Sequence, residues 1–358
     1  MPSLKEIKGR INSISSTLAI TSAMKMVAAA KLQKAQMAIQ NMLPYERRLY
    51  SMLLDLMGAM NISAAASEDG SVRGSGSAER GFDQSGDRLS LSNRHDLAGM
   101  DGAYSLMAQR EVRKVAIVAF ASNSSLCGAF NSNVIREATA VINEYRASGL
   151  RDSDIVVYSV GRKMAEAMRK LGFPSPADFT KMSDSPSYEA ASALAQELLD
   201  GFVSGRFDKV ELVYNHYKST SSQPTIRQTY LPLSLADATA DIQVGKITDS
   251  ASESDTNRGA EPVGAPVVRH GSPTTEDLIV EPSKEALIAT LLPKVIRLRI
   301  FTTLLDSAAA EHAARTVAMQ LATDNGNDLL QELTLEYNKG RQQKITSEIL
   351  DLVGGSMQ

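Results

Sequence analysis

The carboxyl-terminal stretch from Pro282 to Val353 constrains the fold more than any other part of the sequence. It contains one internal proline, Pro293, and no other residue that must end a helix. A helix rises 1.5 Å per residue, so a continuous helix of this length would be on the order of 110 Å long. An uncapped helical pattern beyond about 25 residues is atypical of a globular domain. The sequence therefore predicts a long helix that needs a partner along its length.

The first sixty residues have the pattern that such a partner requires. Alternating steps of three and four residues from Leu4 reach Met60, and fourteen of these seventeen positions are apolar. A heptad pattern sustained this long favours a coiled coil, and a period shorter than that of the α-helix predicts left-handed supercoiling. Pro44 lies inside the pattern and should bend the helix. An ordinary bundle helix is the alternative, but few are this long. We predict that residues 1–62 and 282–358 form a long antiparallel two-helix coiled coil.

The charge of the first fifty residues is positive, although the whole chain has a net charge of −3. Eight Lys and Arg residues occur there with only two Glu residues. Such an excess is usually a solvated helix face, and the functional alternatives are an acidic protein partner or nucleic acid. Nucleic acid is disfavoured because no aromatic residue interleaves the basic ones before Tyr45. No apolar run is long enough to insert into a membrane. The single cysteine, Cys127, excludes an internal disulfide framework.

Strand and helix patterns alternate between residues 112 and 240. The predicted strands are Lys114–Phe120, Asp154–Val160, Lys209–Asn215 and Thr225–Leu233, and the predicted helices are Asn131–Ser148, Arg162–Leu171 and Tyr188–Val203. Continuous apolar strands alternating with helices predict an inserted Rossmann-like α/β domain whose sheet is covered on both faces. The last two strands, joined by a short polar loop, should pair antiparallel. The polar stretches 63–111 and 241–281 lack a hydrophobic face, and we expect them to be disordered or loosely packed insertions.

No motif for catalysis or for cofactor binding is found in the sequence. The segment after the first strand, Ala121–Asn131, has one glycine where a dinucleotide site needs three. Cys127 shares no motif with the four histidines, and no set of residues has the spacing of metal ligands. We therefore predict no catalytic residue, no cofactor and no metal. Two alternatives stay open: an enzyme with a degenerate Rossmann-type domain, and a homodimeric coiled-coil tether or scaffold with a non-catalytic α/β domain.

Three motifs occur in order around this architecture. They are LKEIKGRINSISSTLAITSAMKMVAAAKLQKAQ at the start, SSLCGAFN in the middle domain, and ARTVAMQLATDNG followed by LTLEYNKGRQQKITSEILDLVGG at the end. Together they resemble the γ subunits of the F-type (rotary) ATP synthases. The resemblance implies a central rotor stalk, without an active site of its own, that couples proton-driven rotation of the membrane c ring to ATP synthesis or hydrolysis at the β subunits. The implied partners are the α and β subunits, the ε subunit and the c ring. The implied location is peripheral, on the cytoplasmic face of the bacterial plasma membrane.

The resemblance also implies contact residues. Those expected to meet the β subunit are Met24, Lys25, Arg315, Arg341, Gln342, Thr346 and Glu348, the first three at an acidic lever loop and Arg341 and Gln342 at a catch loop. Those expected on the side of the c ring and ε are Tyr214, Asn215, Tyr217 and Gln223, in the segment YNHYKSTSSQ. Asn123, Ser124 and Ser125 replace the Asp-Arg/Lys-Gly common in the family, so a role of that charged pair does not transfer. Gly340 replaces the usual alanine, at a cost of about 0.8–1 kcal/mol in helix propensity.

Overall fold

The computed structural model describes residues 3–59, 106–233, 281 and 283–356. In chain order the elements are α1 (Leu4–Ala59), β1 (Val115–Phe120), α2 (Phe130–Ala147), β2 (Ile155–Val160), α3 (Arg162–Lys170), α4 (Thr180–Asp184), α5 (Tyr188–Val203), β3 (Lys209–Asn215), β4 (Thr225–Leu231) and α6 (Lys284–Ser356). The predicted insertions 63–111 and 241–281 lie outside the described residues, apart from 106–111 and Glu281. We call α1 and α6 the helix pair and residues 106–233 the inserted domain.

The helix pair is antiparallel. Near its free end, Gly340 of α6 packs against Leu4, and Gly326 packs against Leu18. Further along, Thr323 donates a hydrogen bond to Thr21 over 3.1 Å. Towards the inserted domain the contacts continue in the same sense, because Thr302 bonds Glu46 and Arg299 bonds Tyr50. As residue numbers rise on α1 they fall on α6, as an antiparallel pair requires.

The apolar seam of α1 faces α6 along the described length of the helix. Every seam position from Leu4 to Leu56 is buried or half-buried, including the polar Thr21, Lys25 and Glu46. Burying an aliphatic side chain stabilises a fold by about 1.5–3 kcal/mol. An isolated helix is only marginally stable in water, so burial of the repeated seam stabilises both helices. The helix continues through Pro44. A bend at that proline and the handedness of any supercoil stay predictions.

The inserted domain contains a four-stranded mixed sheet in the order β2-β1-β3-β4. β1 pairs in parallel with both β2 and β3, with Val115 opposite Ile155 on one side and Lys209 on the other. β3 and β4 pair antiparallel, as the sequence predicts. The last strand ends at Leu231 rather than Leu233, since Pro232 has no N–H to give to a ladder.

β1, β2 and β3 are buried on both faces, which explains their largely apolar sequences, whereas the edge strand β4 is mostly half-buried. One face packs against α2 and α3 through residues such as Ile117, Val157 and Val134. The other face packs against α5 and against the helix pair. That second core joins the sheet to both terminal helices, and its members from the helix pair are Leu53, Leu56, Ile288, Leu292, Ile296, Ile300 and Leu304. The inserted domain and the base of the helix pair therefore share one hydrophobic core.

None of the helices, within the ranges that the structure describes, combines the length and the apolar character needed to cross a membrane.

Candidate functional site

The crevice at the carboxyl ends of β1 and β2, where parallel α/β sheets bind ligands, is closed by the protein itself. Gly161 has φ +96°, and a Cβ built on it would lie 2.0 Å from the carbonyl oxygen of Ala121. The two loops are also bonded to each other, because the backbone N–H of Arg162 donates to Asn123 Oδ1 over 2.8 Å. The cavity that remains beside α6 measures about 10 Å³, which is near the minimum for one water. No nucleotide fits there.

The SSLCGAFN loop docks the inserted domain on α6. Cys127 is 1% exposed and clusters with Phe130 and Ala310 of α6. Its Sγ accepts a hydrogen bond from Asn131 Nδ2 over 3.1 Å. The thiol therefore packs an interface within the chain. Within the described part of the chain, its hydrogen-bond partners are Ser122, Ser124 and Asn131 rather than a histidine or carboxylate that would activate it as a nucleophile.

Arg315 also joins α6 to this loop. Its side chain donates to Glu311 on the same helix and to Ser124 Oγ of the loop, each over 2.7 Å. Burial raises the pKa of Glu311, and the charge of Arg315 opposes that rise. Next to them, burial and then the charges of Arg315 and Lys31 lower the pKa of His312 to about 4, so that imidazole is neutral at pH 7. In the isolated chain Arg315 is 9% exposed, and its contact with a β subunit stays a prediction.

Met24 and Lys25 lie on α1 just after Thr21 and are half-buried. Three apolar neighbours on the same stretch, Ile20, Met26 and Val27, are 57–65% exposed. The seam pattern does not include these outward-facing residues. The signal that could have revealed them is their apolar character at positions outside the seam. They form an exposed apolar patch on this section of α1, next to its basic residues, and such patches mark interaction sites.

The end of α6 projects past the start of α1. Leu4, the first residue of α1, lies beside Gly340, so the residues that follow on α6 extend past the described part of α1, and all of residues 341–350 are exposed. The four predicted contacts in this part, Arg341, Gln342, Thr346 and Glu348, are thus on the surface. They are accompanied by exposed apolar residues that the sequence prediction did not single out: Ile345, Ile349, Leu350, Leu352 and Val353, exposed by 47–74%. An apolar patch of this kind marks an interaction site.

The segment Tyr214–Gln223 is only partly on the surface. Tyr214 and Asn215 are 9% and 1% exposed, and Asn215 Nδ2 donates to the carbonyl of Phe130 over 3.0 Å. Tyr217 lies against the helix pair, where its hydroxyl accepts from Gln36 Nε2 over 2.6 Å. Gln223 is half-buried and caps its own loop. Tyr214 and Asn215 are interior residues that expose little or no surface to a partner subunit. Their contact with such a subunit stays a prediction, and their burial does not favour it.

A buried carboxylate stiffens the outer edge of the inserted domain. Glu211 is 1% exposed and accepts hydrogen bonds from Tyr145 (2.6 Å) and Arg227 (2.7 Å), with Lys209 at 2.7 Å. Burial alone would raise the pKa of Glu211, but the hydrogen bonds from Arg227, Lys209 and Tyr145 outweigh it and hold the pKa below its ordinary value. This cluster connects α2 with the β3–β4 ladder. Among the residues that the structure describes, no group of His, Cys, Asp and Glu is arranged to hold a metal ion.

Comparison with known proteins identifies relatives along the whole chain. The family model described as ATP synthase matches residues 3–357. An ATP synthase gamma chain of Phocaeicola vulgatus is 46% identical over 357 residues, covering 100% of both chains. One from Bacteroides thetaiotaomicron is 44% identical with the same coverage. One from Flavobacterium johnsoniae is 36% identical, covering 99% of this chain and 98% of its own.

Solved structures share the fold at lower identity. A chain in the rotor of the Euglena gracilis mitochondrial ATP synthase matches with a TM-score of 0.50 and 17% identity, covering 96% of this chain and 98% of its own. A chain in the OSCP, F1 and c-ring assembly of the same organism matches with a TM-score of 0.52 and 18% identity, covering 99% and 93%. At these identities the likeness concerns the fold alone.

Proposed function

The chain belongs to the ATP synthase gamma-chain family, and from this premise we propose that it is the central rotor stalk of a bacterial F-type ATP synthase. Its partners are the α and β subunits, which surround the helix pair, and the ε subunit and membrane c ring, which hold the inserted domain. It couples proton-driven rotation of the c ring to ATP synthesis or hydrolysis at β, and it has no active site of its own. Within the complex it is peripheral, on the cytoplasmic face of the plasma membrane.

The observation that carries this proposal is the difference between the two ends of the helix pair. One end shares a hydrophobic core with the inserted domain. The other end is the part of α6 that follows Gly340, which extends past Leu4, the first residue of α1, and carries exposed apolar side chains such as Ile345, Ile349 and Leu350. A rotor needs this combination: a base fixed to the part that is driven, and a free tip that bears on the surrounding subunits.

The helix pair suits the transmission of torque. Packing of the seam in the manner of a coiled coil, with side chains of one helix in the gaps of the other, would resist bending and twisting. Alanines at Ala308–Ala310 and Ala313 are buried against the partner helix and the inserted domain, which keeps that section narrow. The seam of α1 is covered by α6 of the same chain. It is therefore not exposed to a second copy of the chain, as a homodimeric coiled-coil tether would require.

The proposed contacts with β are individually weak, as sliding requires. Met24 and Lys25 on α1 and Arg315 on α6 would meet the acidic lever loop. Arg341 and Gln342 would meet the catch loop, and Thr346 and Glu348 of the same motif would contact β near them. Exposed ion pairs contribute only about 0–1 kcal/mol each, so they attract without fixing one angle. An asymmetric shaft that touches each β subunit differently changes the balance between its conformations, which is allosteric coupling through differential contacts.

The test is reconstitution in cells that lack the native gene for this chain. We expect the chain to co-purify with α, β and ε, and membrane vesicles to pump protons when given ATP. The double variant R341A/Q342A should lower pumping several-fold. Arg151→Ala, which removes an arginine of the inserted domain whose side chain is 81% exposed, should leave it unchanged. A wild-type chain that fails to co-purify with α and β, or that hydrolyses ATP by itself, contradicts the proposal.

A further inference from the structure

Asp306 of α6 binds the inserted domain with both of its carboxylate oxygens. Oδ2 lies 2.6 Å from His216 Nδ1, and Oδ1 accepts the backbone N–H of Tyr217 over 2.9 Å. Both partners belong to the loop that follows β3. The side chain of Asp306 is 17% exposed and that of His216 is 31% exposed, so water is largely kept from the contact.

The same loop also reaches the other helix of the pair. The hydroxyl of Tyr217 accepts from Gln36 Nε2 of α1, and the ring packs against Leu32 of α1 and Ala309 of α6. The segment His216–Tyr217 therefore lies across the groove between the two helices. Asp306 fixes it from one side and Gln36 from the other.

One further polar contact between the inserted domain and this part of the helix pair is the hydrogen bond from Arg315 to Ser124, and the contacts that lie between it and Asp306 are apolar. Around Cys127 and Phe130 they involve the small side chains of Ala310 and Ala314. Hydrophobic contacts are non-directional. Because alanine side chains are small, a surface made of them is smooth and resists sliding of the inserted domain along the helix only weakly. Charge-assisted hydrogen bonds to fixed donors are directional and about twice as strong as neutral ones. Asp306 makes two hydrogen bonds to the domain, one of them to the main chain.

We propose that Asp306 is the positioning residue that fixes the angular position of the inserted domain relative to the helix pair, so that rotation of the domain is passed to the shaft without slip. The inference rests on the proposed function as a rotor. Asp306 acts through His216 and Tyr217, the two residues of the inserted domain to which its carboxylate is bonded.

The contact depends on pH in a definite direction. The hydrogen bond with Asp306 raises the pKa of His216 above its ordinary 6.5, against the opposing effects of burial and of Lys218. Among the residues that the structure describes, the charged groups that act on His216 are Asp306 from α6 and Lys218 from its own loop, and the residue of α1 bonded to this loop, Gln36, is neutral. A raised pKa means that the ion pair is complete below the ordinary pKa and is lost as pH rises through the folded-state value. The fixation should therefore loosen on the alkaline side.

The experiment compares assembled complexes in membrane vesicles, with the ratio of proton pumping to ATP hydrolysis as the readout. Asp306→Asn should lower this ratio several-fold and remove its decline as pH rises through the His216 titration. The matched control is Asp152→Asn, because Asp152 also uses both oxygens, to bind Arg146 at 2.7 and 2.9 Å, but entirely within the inserted domain. The control should keep both the ratio and the pH profile of the wild type.

His216→Asn gives a second route, since an amide at this position keeps a neutral donor in place of Nδ1 and loses only the charge. Its ratio at acidic pH should fall to the value that the wild type shows at alkaline pH. An assembled Asp306→Asn complex with the ratio and pH profile of the wild type overturns the inference. If Asp306→Asn does not assemble, a His216→Asn complex that matches the wild type at every pH overturns it. In both cases a pumping wild type leaves the proposed function intact, whereas a wild type that neither assembles nor pumps refutes that function instead.

Discussion

Two glycines in α6 provide a matched test of how closely the helix pair is packed. Gly326 and Gly340 both occupy the interior of the same helix and face leucines of α1. Replacing glycine by alanine within a helix gains about 0.8–1 kcal/mol in propensity, and this gain is the same at both positions. Any difference between Gly326→Ala and Gly340→Ala therefore measures the space left by α1.

The structure gives the two sites different amounts of space. At Gly340 a Cβ would lie 3.1 Å from Leu4 Cδ2 and 4.0 Å from its Cγ. Leu4 is the first residue of α1, where a shift of a few tenths of an ångström costs little, so Gly340→Ala should stabilise the end of the pair by about 0.5–1 kcal/mol. At Gly326 the Cβ would lie 2.6 Å from Leu18 Cδ2 and 3.2 Å from Cγ. Leu18 must then rotate within the seam, and overpacking of this kind costs about 1–3 kcal/mol.

Hydrogen exchange of the backbone amides between residues 320 and 345 measures these effects locally. Gly340→Ala should slow exchange by roughly two- to five-fold, because about 0.5–1 kcal/mol corresponds to such a factor in the opening equilibrium. Gly326→Ala should leave exchange unchanged or speed it up. In a Gly326→Ala background, Leu18→Ala should cost less than it does in the wild type, since the new methyl group fills the vacated space. Equal slowing by the two glycine variants would show that α1 does not approach Gly326 as described.

Two buried carboxylates give further predictions, both measured by urea unfolding of the full chain followed by far-UV circular dichroism. Glu211→Gln should lower the free energy of unfolding by about 2–4 kcal/mol at pH 7, because it leaves Arg227 without its buried partner. The control is Glu144→Gln, at an exposed partner of the same arginine, which should change the free energy of unfolding by less than about 0.5 kcal/mol. The pKa of Glu211 is depressed in the folded state, so its contribution to the free energy of unfolding is present above the ordinary pKa and is lost as pH falls through the folded-state pKa. The difference in unfolding free energy between Glu211→Gln and wild type should therefore narrow below about pH 4. A difference that widens in acid would contradict this assignment. Arg315→Gln should cost about 2–4 kcal/mol by leaving Glu311 buried and unpaired, and adding Glu311→Gln should recover part of that loss. An additive double variant would show that the two side chains do not interact.

The architecture follows from periodicity, and the sequence was informative where periodicity was strong. The seam from Leu4 to Leu56 repeats often enough to define one face of a helix. Three largely apolar runs, the mixed run Thr225–Leu231 and the helical patterns between them define the sheet. The short helix Thr180–Asp184 escaped prediction because five residues carry no periodic signal. Strand pairing between β3 and β4 was predictable because the connecting loop is short and polar, whereas the order of all four strands was not, since it depends on contacts distant in sequence.

The polar contacts between the inserted domain and the helix pair could not be predicted. Asp306 and His216 are 90 residues apart, and Arg315 and Ser124 are 191 residues apart. An isolated charged residue on a helix is usually solvated, so neither Asp306 nor Arg315 indicates its partner from sequence alone. Tyr214 and Asn215, the first two residues of the motif YNHYKSTSSQ, were correctly predicted to end the strand Lys209–Asn215, but their burial there was not predicted. Alternation within β3 did not reveal this, because both faces of the sheet are covered.

Rotation of the chain inside its complex is the most direct test of the account. A cysteine placed at Lys170, an exposed residue at the end of α3, offers one reactive thiol, since Cys127 is 1% exposed. A bead attached there is observed while the α and β ring is fixed to a surface and supplied with ATP. The account predicts that the bead revolves continuously in one direction as ATP is hydrolysed. A bead that stays at a fixed angle on a complex that is hydrolysing ATP would contradict it.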